Sequence, residues 1–329
     1  MIILNTGESA GTVLFLAERR LVLNLFDASL TVNLAGISLA NPLIAASGCY
    51  GYGFDYRRWI DPGDWGAIVV KGTTLRPRTG NPPPRLVETP SGMLNAIGLQ
   101  NPGIDFFLKS IRPQLPELQC PVLVNIAGET LEEYRQLAAI LNSVTEVSGI
   151  EVNISCPNVK RGGVSFGGDP ALVEELIGLV REVYRLPLIV KLSPDAGNIV
   201  SVAEAAWRAG ADALSLINTI KGMVIDVQKR RPVLGNITGG LSGPAIRPVA
   251  VRAVWEVSAA VSIPVIGMGG IMQADDALEF ILAGACAVAI GTANFINPAV
   301  AREISQGLRQ YLCDHGFSHY RELIGAARP

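Results

Sequence analysis

Eight short apolar runs, most closing on a small or polar residue, set the tightest limit on what this chain can fold into. They are Pro42–Ser47, Ala67–Gly72, Val122–Ala127, Ile150–Ser155, Leu188–Ser193, Ala213–Thr219, Val265–Gly269 and Ala287–Thr292. Runs of this length suit fully buried strands and are short for core helices. Between many of them apolar residues recur at helical spacing, over Leu131–Leu141, Pro170–Tyr184, Ile199–Ala209, Arg247–Val257 and Ala274–Leu282. Strand and helix alternating in this way specify an α/β fold and point to a (β/α)8 TIM barrel. A doubly wound open sheet is the alternative. Its first strand is normally followed by a GxGxxG turn, which this sequence lacks.

A barrel makes a demand on the polar residues, because function collects at the C-terminal ends of its strands. Ser47, Lys71, Asn125, Asn153, Lys191, Asn218 and Thr219 all fall at such ends, as do glycines 269, 270 and 291. Lys71 and Lys191 lie inside strand-like runs, where an ammonium is costly to bury without an anionic partner. The plainer reading of either lysine is one that snorkels to the rim. The last two runs end in Gly267-Met-Gly-Gly270 and Gly291-Thr-Ala-Asn294, and Thr238-Gly-Gly-Leu-Ser-Gly243 follows the sixth. Glycine-rich loops at these strand ends let backbone N–H groups approach a phosphate. Together they suggest a phosphorylated cofactor whose ring lies over the barrel mouth.

The stretch Glu151-Val-Asn-Ile-Ser-Cys-Pro-Asn158 begins as a strand and ends in a turn, since Pro157 cannot continue a ladder. It delivers Cys156 to a loop between two asparagines, Asn153 and Asn158. A thiol so placed is suited to removing a proton from a polar ring; the plain alternative is a buried structural cysteine.

Composition excludes several classes. Hydrophobic residues make up 49% and charged residues 17%, so a large core forms readily and disorder is excluded. A formal net charge of -2 gives no electrostatic footprint for nucleic acid. Five cysteines, without a CxxC pair, argue against a disulfide framework and for a reducing, cytoplasmic setting. They also leave no local spacing for a zinc or iron–sulfur site. The only histidines, His315 and His319, are four apart with Gly316 between them and no evident third ligand. No metal site is expected. The apolar stretch Ala10 to Leu25 is interrupted by Glu18, Arg19 and Arg20, so no membrane span is expected. Residues 1–28 read as an N-terminal extension of uncertain role, and residues 29–329 as a single barrel domain.

The motifs Ala45-Ala-Ser-Gly48, Val69-Val-Lys-Gly72, Gly80-Asn-Pro-Pro-Pro-Arg85, Leu94-Asn-Ala-Ile-Gly-Leu-Gln-Asn-Pro-Gly103, Asn153-Ile-Ser-Cys-Pro-Asn158 and Gly239-Gly-Leu-Ser-Gly-Pro244 together resemble the dihydroorotate dehydrogenases. These are the FMN enzymes of pyrimidine synthesis. The resemblance runs from about Leu30 to Ala327. A cysteine in the Ser-Cys-Pro-Asn segment is similar to class 1, and Gly-Leu-Gln-Asn-Pro-Gly with Asn218-Thr219 is similar to its NAD-linked 1B type.

The resemblance implies that Cys156 is the base at C5 of dihydroorotate while hydride passes from C6 to FMN. It implies Asn95, Asn153, Asn218 and Thr219 on the pyrimidine ring, the backbone of Ala96, Ile97, Gly98 and Leu99 beside it, and Lys71 between flavin and substrate. For FMN it implies Ser47, Lys71, Gly72, Asn125, Asn153, Lys191, Ile217, Gly243, Gly269, Gly270, Gly291 and Thr292, with Lys191 by N1/O2 of the ring. The loop from Pro157 to Asp169 reads as a lid. The 1B type further implies a homodimeric core and an electron-transfer subunit carrying FAD and [2Fe–2S], in an α2β2 heterotetramer that reduces NAD+. Arg76 departs from the acidic residue expected there. The rival readings are the fumarate-linked 1A type, a pyrimidine reductase acting on uracil-like rings, and a non-catalytic barrel serving as a scaffold.

Overall fold

The structure, a computed structural model, describes residues 29–57, 61–155, 157–158, 164–195 and 197–329, the pairs 157–158 and 164–165 by backbone alone. Eight parallel strands close a barrel in sequence order: β1 (Leu43–Ala45), β2 (Ala67–Thr73), β3 (Val122–Ile126), β4 (Gly149–Asn153), β5 (Leu188–Lys191), β6 (Ala213–Leu216), β7 (Val265–Met268) and β8 (Ala287–Ile290). Each coincides with one of the apolar runs. Their side chains are almost all buried, as expected of parallel strands covered on both faces.

Six helices follow strands β3 to β8: α1 (Leu131–Leu141), α2 (Pro170–Val183), α3 (Ile199–Arg208), α4 (Arg247–Ala260), α5 (Ala274–Ala283) and α6 (Val300–His315). Local chemistry sets where they begin. Thr130 accepts the Glu133 N–H, Asp169 accepts that of Ala171, and Asn198 accepts those of Val200 and Ser201. Such caps are each worth about 1 kcal/mol. Gly316 ends α6 in the left-handed region at φ 73°. Each helix buries one stripe, as α6 does with Val300, Ile304, Leu308 and Leu312.

The alternation is less regular than the sequence pattern suggests. Among the described residues β1 is followed by turns and the 3-10 segment Pro62–Asp64 in place of an α-helix. The connection from β2 to β3 carries a hairpin and then an irregular helical stretch, residues 104–118, in which Pro113 and Pro116 prevent a continuous helix. The hairpin strands, Leu86–Thr89 and Gly92–Asn95, join Gly239–Ser242 and Ile220–Gly222 from the β6 connection in a four-stranded antiparallel sheet. Two excursions far apart in sequence thus meet, with Asn95 opposite Gly240. No described helix is long and apolar enough to cross a membrane.

Candidate active site

At the C-terminal ends of the strands lies a cavity of about 910 Å³, within the roughly 300–1,000 Å³ typical of small-molecule and cofactor sites. Every barrel strand supplies part of its wall. Ser47 follows β1; Lys71 and Gly72 lie in β2 beside a register shift between Val70 and Thr73; Asn125 is on β3, Asn153 ends β4 and Lys191 ends β5. Ile217, Asn218 and Thr219 follow β6, Gly269 and Gly270 follow β7, and Gly291 and Thr292 follow β8. Asn95 to Leu99 and Gly243 reach it from the antiparallel sheet. All the site residues expected from the sequence therefore line one cavity, with one exception: Cys156 lies outside the described residues. So do residues 159–163 of the expected lid.

Two kinds of wall can be distinguished. On one side are side chains suited to a ring bearing both donors and acceptors. Asn218 donates to Ser155 Oγ at 2.8 Å and accepts the Thr219 N–H at 2.8 Å. Asn95 donates to the Gly240 carbonyl at 3.3 Å. Asn153 accepts the Ser155 N–H at 3.1 Å, and its own carbonyl accepts from Tyr134 Oη at 2.6 Å. Another part of the wall is a glycine cradle. Gly270 has φ 76°, and a Cβ there would lie 2.7 Å from the Gly243 carbonyl oxygen; Gly269 has φ 134°, with a Cβ 2.8 Å from Ala250 Cβ. Only glycine fits both the conformation and the space, and the result is bare backbone facing the cavity, the environment a phosphate group needs.

The two lysines differ. Lys71 is half-buried, and among the described residues its ammonium has no hydrogen-bond or ion-pair partner. It is free to meet an anionic ligand. Lys191 is buried and does have an anion of its own, the Glu151 carboxylate at 3.9 Å. Sequence reasoning missed Glu151, Ser215 and Cys49. The signal for Glu151 was an acid inside an otherwise apolar strand, which is too costly to bury without partners. Cys49 also lines the cavity; burial, partly offset by the nearby Lys191 charge, pushes its thiol up to about 11. It is a protonated, weakly nucleophilic thiol at neutral pH. No cluster of metal-ligating residues occurs among the described residues. His315 stacks on Tyr311, and His319 Nδ1 accepts the Arg321 N–H.

The dihydroorotate dehydrogenase family model matches residues 29–312. The chain belongs to the dihydroorotate dehydrogenase family. Curated relatives bear the name dihydroorotate dehydrogenase B (NAD(+)), catalytic subunit. That of Geotalea daltonii is 58% identical over 299 residues, covering 91% of this chain and 98% of the relative. That of Desulforudis audaxviator is 57% identical over 296 residues, covering 90% and 96%.

Proposed function

We propose that this chain is the FMN-bearing catalytic subunit of an NAD+-linked dihydroorotate dehydrogenase, oxidising (S)-dihydroorotate to orotate in pyrimidine synthesis. The observation that carries the reading is a cavity lined by asparagines, by a lysine without a partner among the described residues and by a glycine cradle, in a chain of this family. The glycine cradle and the cavity volume fit FMN, whose phosphate would rest on Gly243, Gly269, Gly270, Gly291 and Thr292. Ser47, Gly72, Asn125, Asn153, Ile217 and Lys191 would hold the ring. When bound, FMN supplies the hydride acceptor.

The chain's own residues do the rest. Asn95, Asn153, Asn218 and Thr219 offer paired donors and acceptors to a neutral pyrimidine edge, with the backbone of Ala96 to Leu99 beside them. Lys71 offers a cation to the substrate carboxylate. Cys156, as base, takes the proton from C5; an ordinary thiol pKa near 8.5 makes this step faster as pH rises toward that value. The anion-stabilising role of Lys191 toward the ring is electrostatic preorganisation.

The relatives' name supports a second subunit as the electron outlet. In this reading the partner carries FAD and [2Fe–2S], two copies of each chain form the assembly, and it works in the cytoplasm. The deciding experiment is anaerobic. The purified chain should be yellow, dihydroorotate should bleach it, and NAD+ should restore the colour only when the partner is present. Recovery with fumarate alone would favour the 1A type. A flavin-loaded chain that dihydroorotate does not bleach would refute the substrate assignment, and a chain that takes up no FMN would refute the flavin.

A further inference from the structure

Four polar side chains, Asn125 on β3, Glu151 on β4, Lys191 on β5 and Ser215 on β6, meet at the barrel end that bears the cavity. Asn125 lies opposite Glu151 in the β3–β4 pairing, and Lys191 lies opposite Ser215 in the β5–β6 pairing. Glu151 is at the centre, 2% exposed. Its Oε1 accepts from Asn125 Nδ2 at 2.7 Å and stands 3.9 Å from Lys191 Nζ, while its Oε2 accepts from Ser215 Oγ at 2.8 Å. Asn125 and Lys191 both reach the cavity wall; Glu151 does not.

We propose that Glu151 is a positioning and charge-tuning residue that acts on bound flavin through Lys191 and Asn125. The inference rests on the flavin reading above. A carboxylate only accepts, so Asn125 must turn its NH2 inward and its Oδ1 outward. That oxygen indeed lies 3.1 Å from where a Cβ on Gly72 would stand. The same carboxylate offsets the Lys191 charge. A lone ammonium against the ring would stabilise the electron-rich flavin strongly and make it reluctant to pass electrons on. Glu151 weakens that hold, which suits a chain whose relatives deliver electrons to NAD+, an acceptor of low potential.

The pair behaves as a unit of nearly zero net charge, and its variants should order accordingly. Glu151→Gln leaves the lysine uncompensated and should raise the two-electron potential of bound FMN by about 30 mV, a tenfold gain in the reduced form. Lys191→Gln should lower it by a similar factor, and the double variant should return near the parent. Ser215→Ala removes a buried hydrogen bond but no charge, so it should cost stability while leaving the potential within about threefold of the parent ratio. The potential is read by dye equilibration under anaerobic conditions, with FMN dissociation constants taken in parallel. If Glu151→Gln does not retain FMN, Lys191→Gln still tests the pair from its other side. A parent that binds FMN while its charge variants leave the potential unmoved, or shift it in the opposite sense, would overturn this inference alone. A parent that takes up no flavin would overturn the reading beneath it.

Discussion

Asn101 offers a severe test of how the Leu99 part of the cavity wall is held. Its side chain is buried at 4% exposure and occupies every hydrogen-bonding position it has. Its Oδ1 accepts from Gly103 N at 2.8 Å and Thr74 N at 3.2 Å, and its Nδ2 donates to the Leu99 carbonyl at 2.8 Å and Thr74 Oγ1 at 2.9 Å. Leu99 itself sits at φ 54°, a conformation unfavourable for a leucine by about 1–2 kcal/mol. Asn101 therefore holds a strained wall in place. Asn101→Ala strands the Leu99 carbonyl and the Thr74 and Gly103 N–H groups. Each buried orphan costs about 1–3 kcal/mol. Leu99 is half-buried and can recover a water, and Thr74 Oγ1 keeps its bond to the Arg76 carbonyl at 2.6 Å. The net loss should then be about 2–4 kcal/mol. Urea denaturation should show that loss. Released strain of about 1–2 kcal/mol at Leu99, which lines the cavity, should raise KM for dihydroorotate about tenfold, while the FMN dissociation constant, which on the proposed assignment depends mainly on the glycine cradle that Asn101 does not touch, should change less than about threefold. A stability within about 0.5 kcal/mol of the parent, or equal losses of substrate and FMN affinity, would refute the argument.

Cys156→Ala should keep FMN and orotate binding, seen as flavin difference spectra, and lose about 10²–10⁴-fold in turnover; near-normal turnover would remove Cys156 as the base. Cys156→Ser should act only at higher pH, because a hydroxyl is a far weaker acid than a thiol, and a profile identical to the parent would contradict that. Gly270→Ala adds a Cβ 2.7 Å from the Gly243 carbonyl at a φ of 76°; the left-handed strain should cost about 1–2 kcal/mol of stability, and FMN titration of the apoprotein should show about tenfold weaker binding because the displaced cradle no longer presents its backbone to the phosphate.

The barrel was legible in the sequence for a physical reason. Strands buried on both faces must be apolar throughout, so each stands out as a short unbroken run. The observed strands end earlier than the runs do, at Leu216 before Ile217 and at Lys191 before Leu192, because the chain leaves the sheet to form the cavity wall. The antiparallel sheet was not legible. Gly239–Ser242 has no side buried deeply enough to create an alternation, and its partner Gly92–Asn95 lies more than a hundred residues earlier in the chain. Helix α6 escaped because its surface is dominated by Arg302, Glu303, Gln306, Arg309 and Gln310, which mask its apolar stripe. Among the site residues, those at strand tips were visible as polar punctuation. The role of Glu151 was not, because it depends on side chains from strands β3, β5 and β6 converging on it.

The segment Gly239–Ser242 also explains why the two walls of the cavity are not independent. At one end the Gly240 carbonyl accepts from Asn95 Nδ2, and the close fit of Thr219 leaves no room for a Cβ on Gly240. At the other end Ser242 Oγ accepts from Thr292 Oγ1 at 2.8 Å. The carbonyl of the next residue, Gly243, closes over Gly270. One short strand therefore touches the asparagine wall and the glycine cradle, and its main-chain pairing with Gly92–Asn95 fixes both at once. A barrel alone would place the cradle and the asparagines on separate loops, each free to move on its own. The sheet across its mouth ties them together, and on the proposed assignment it would hold substrate and cofactor at a set separation, which a direct hydride transfer requires.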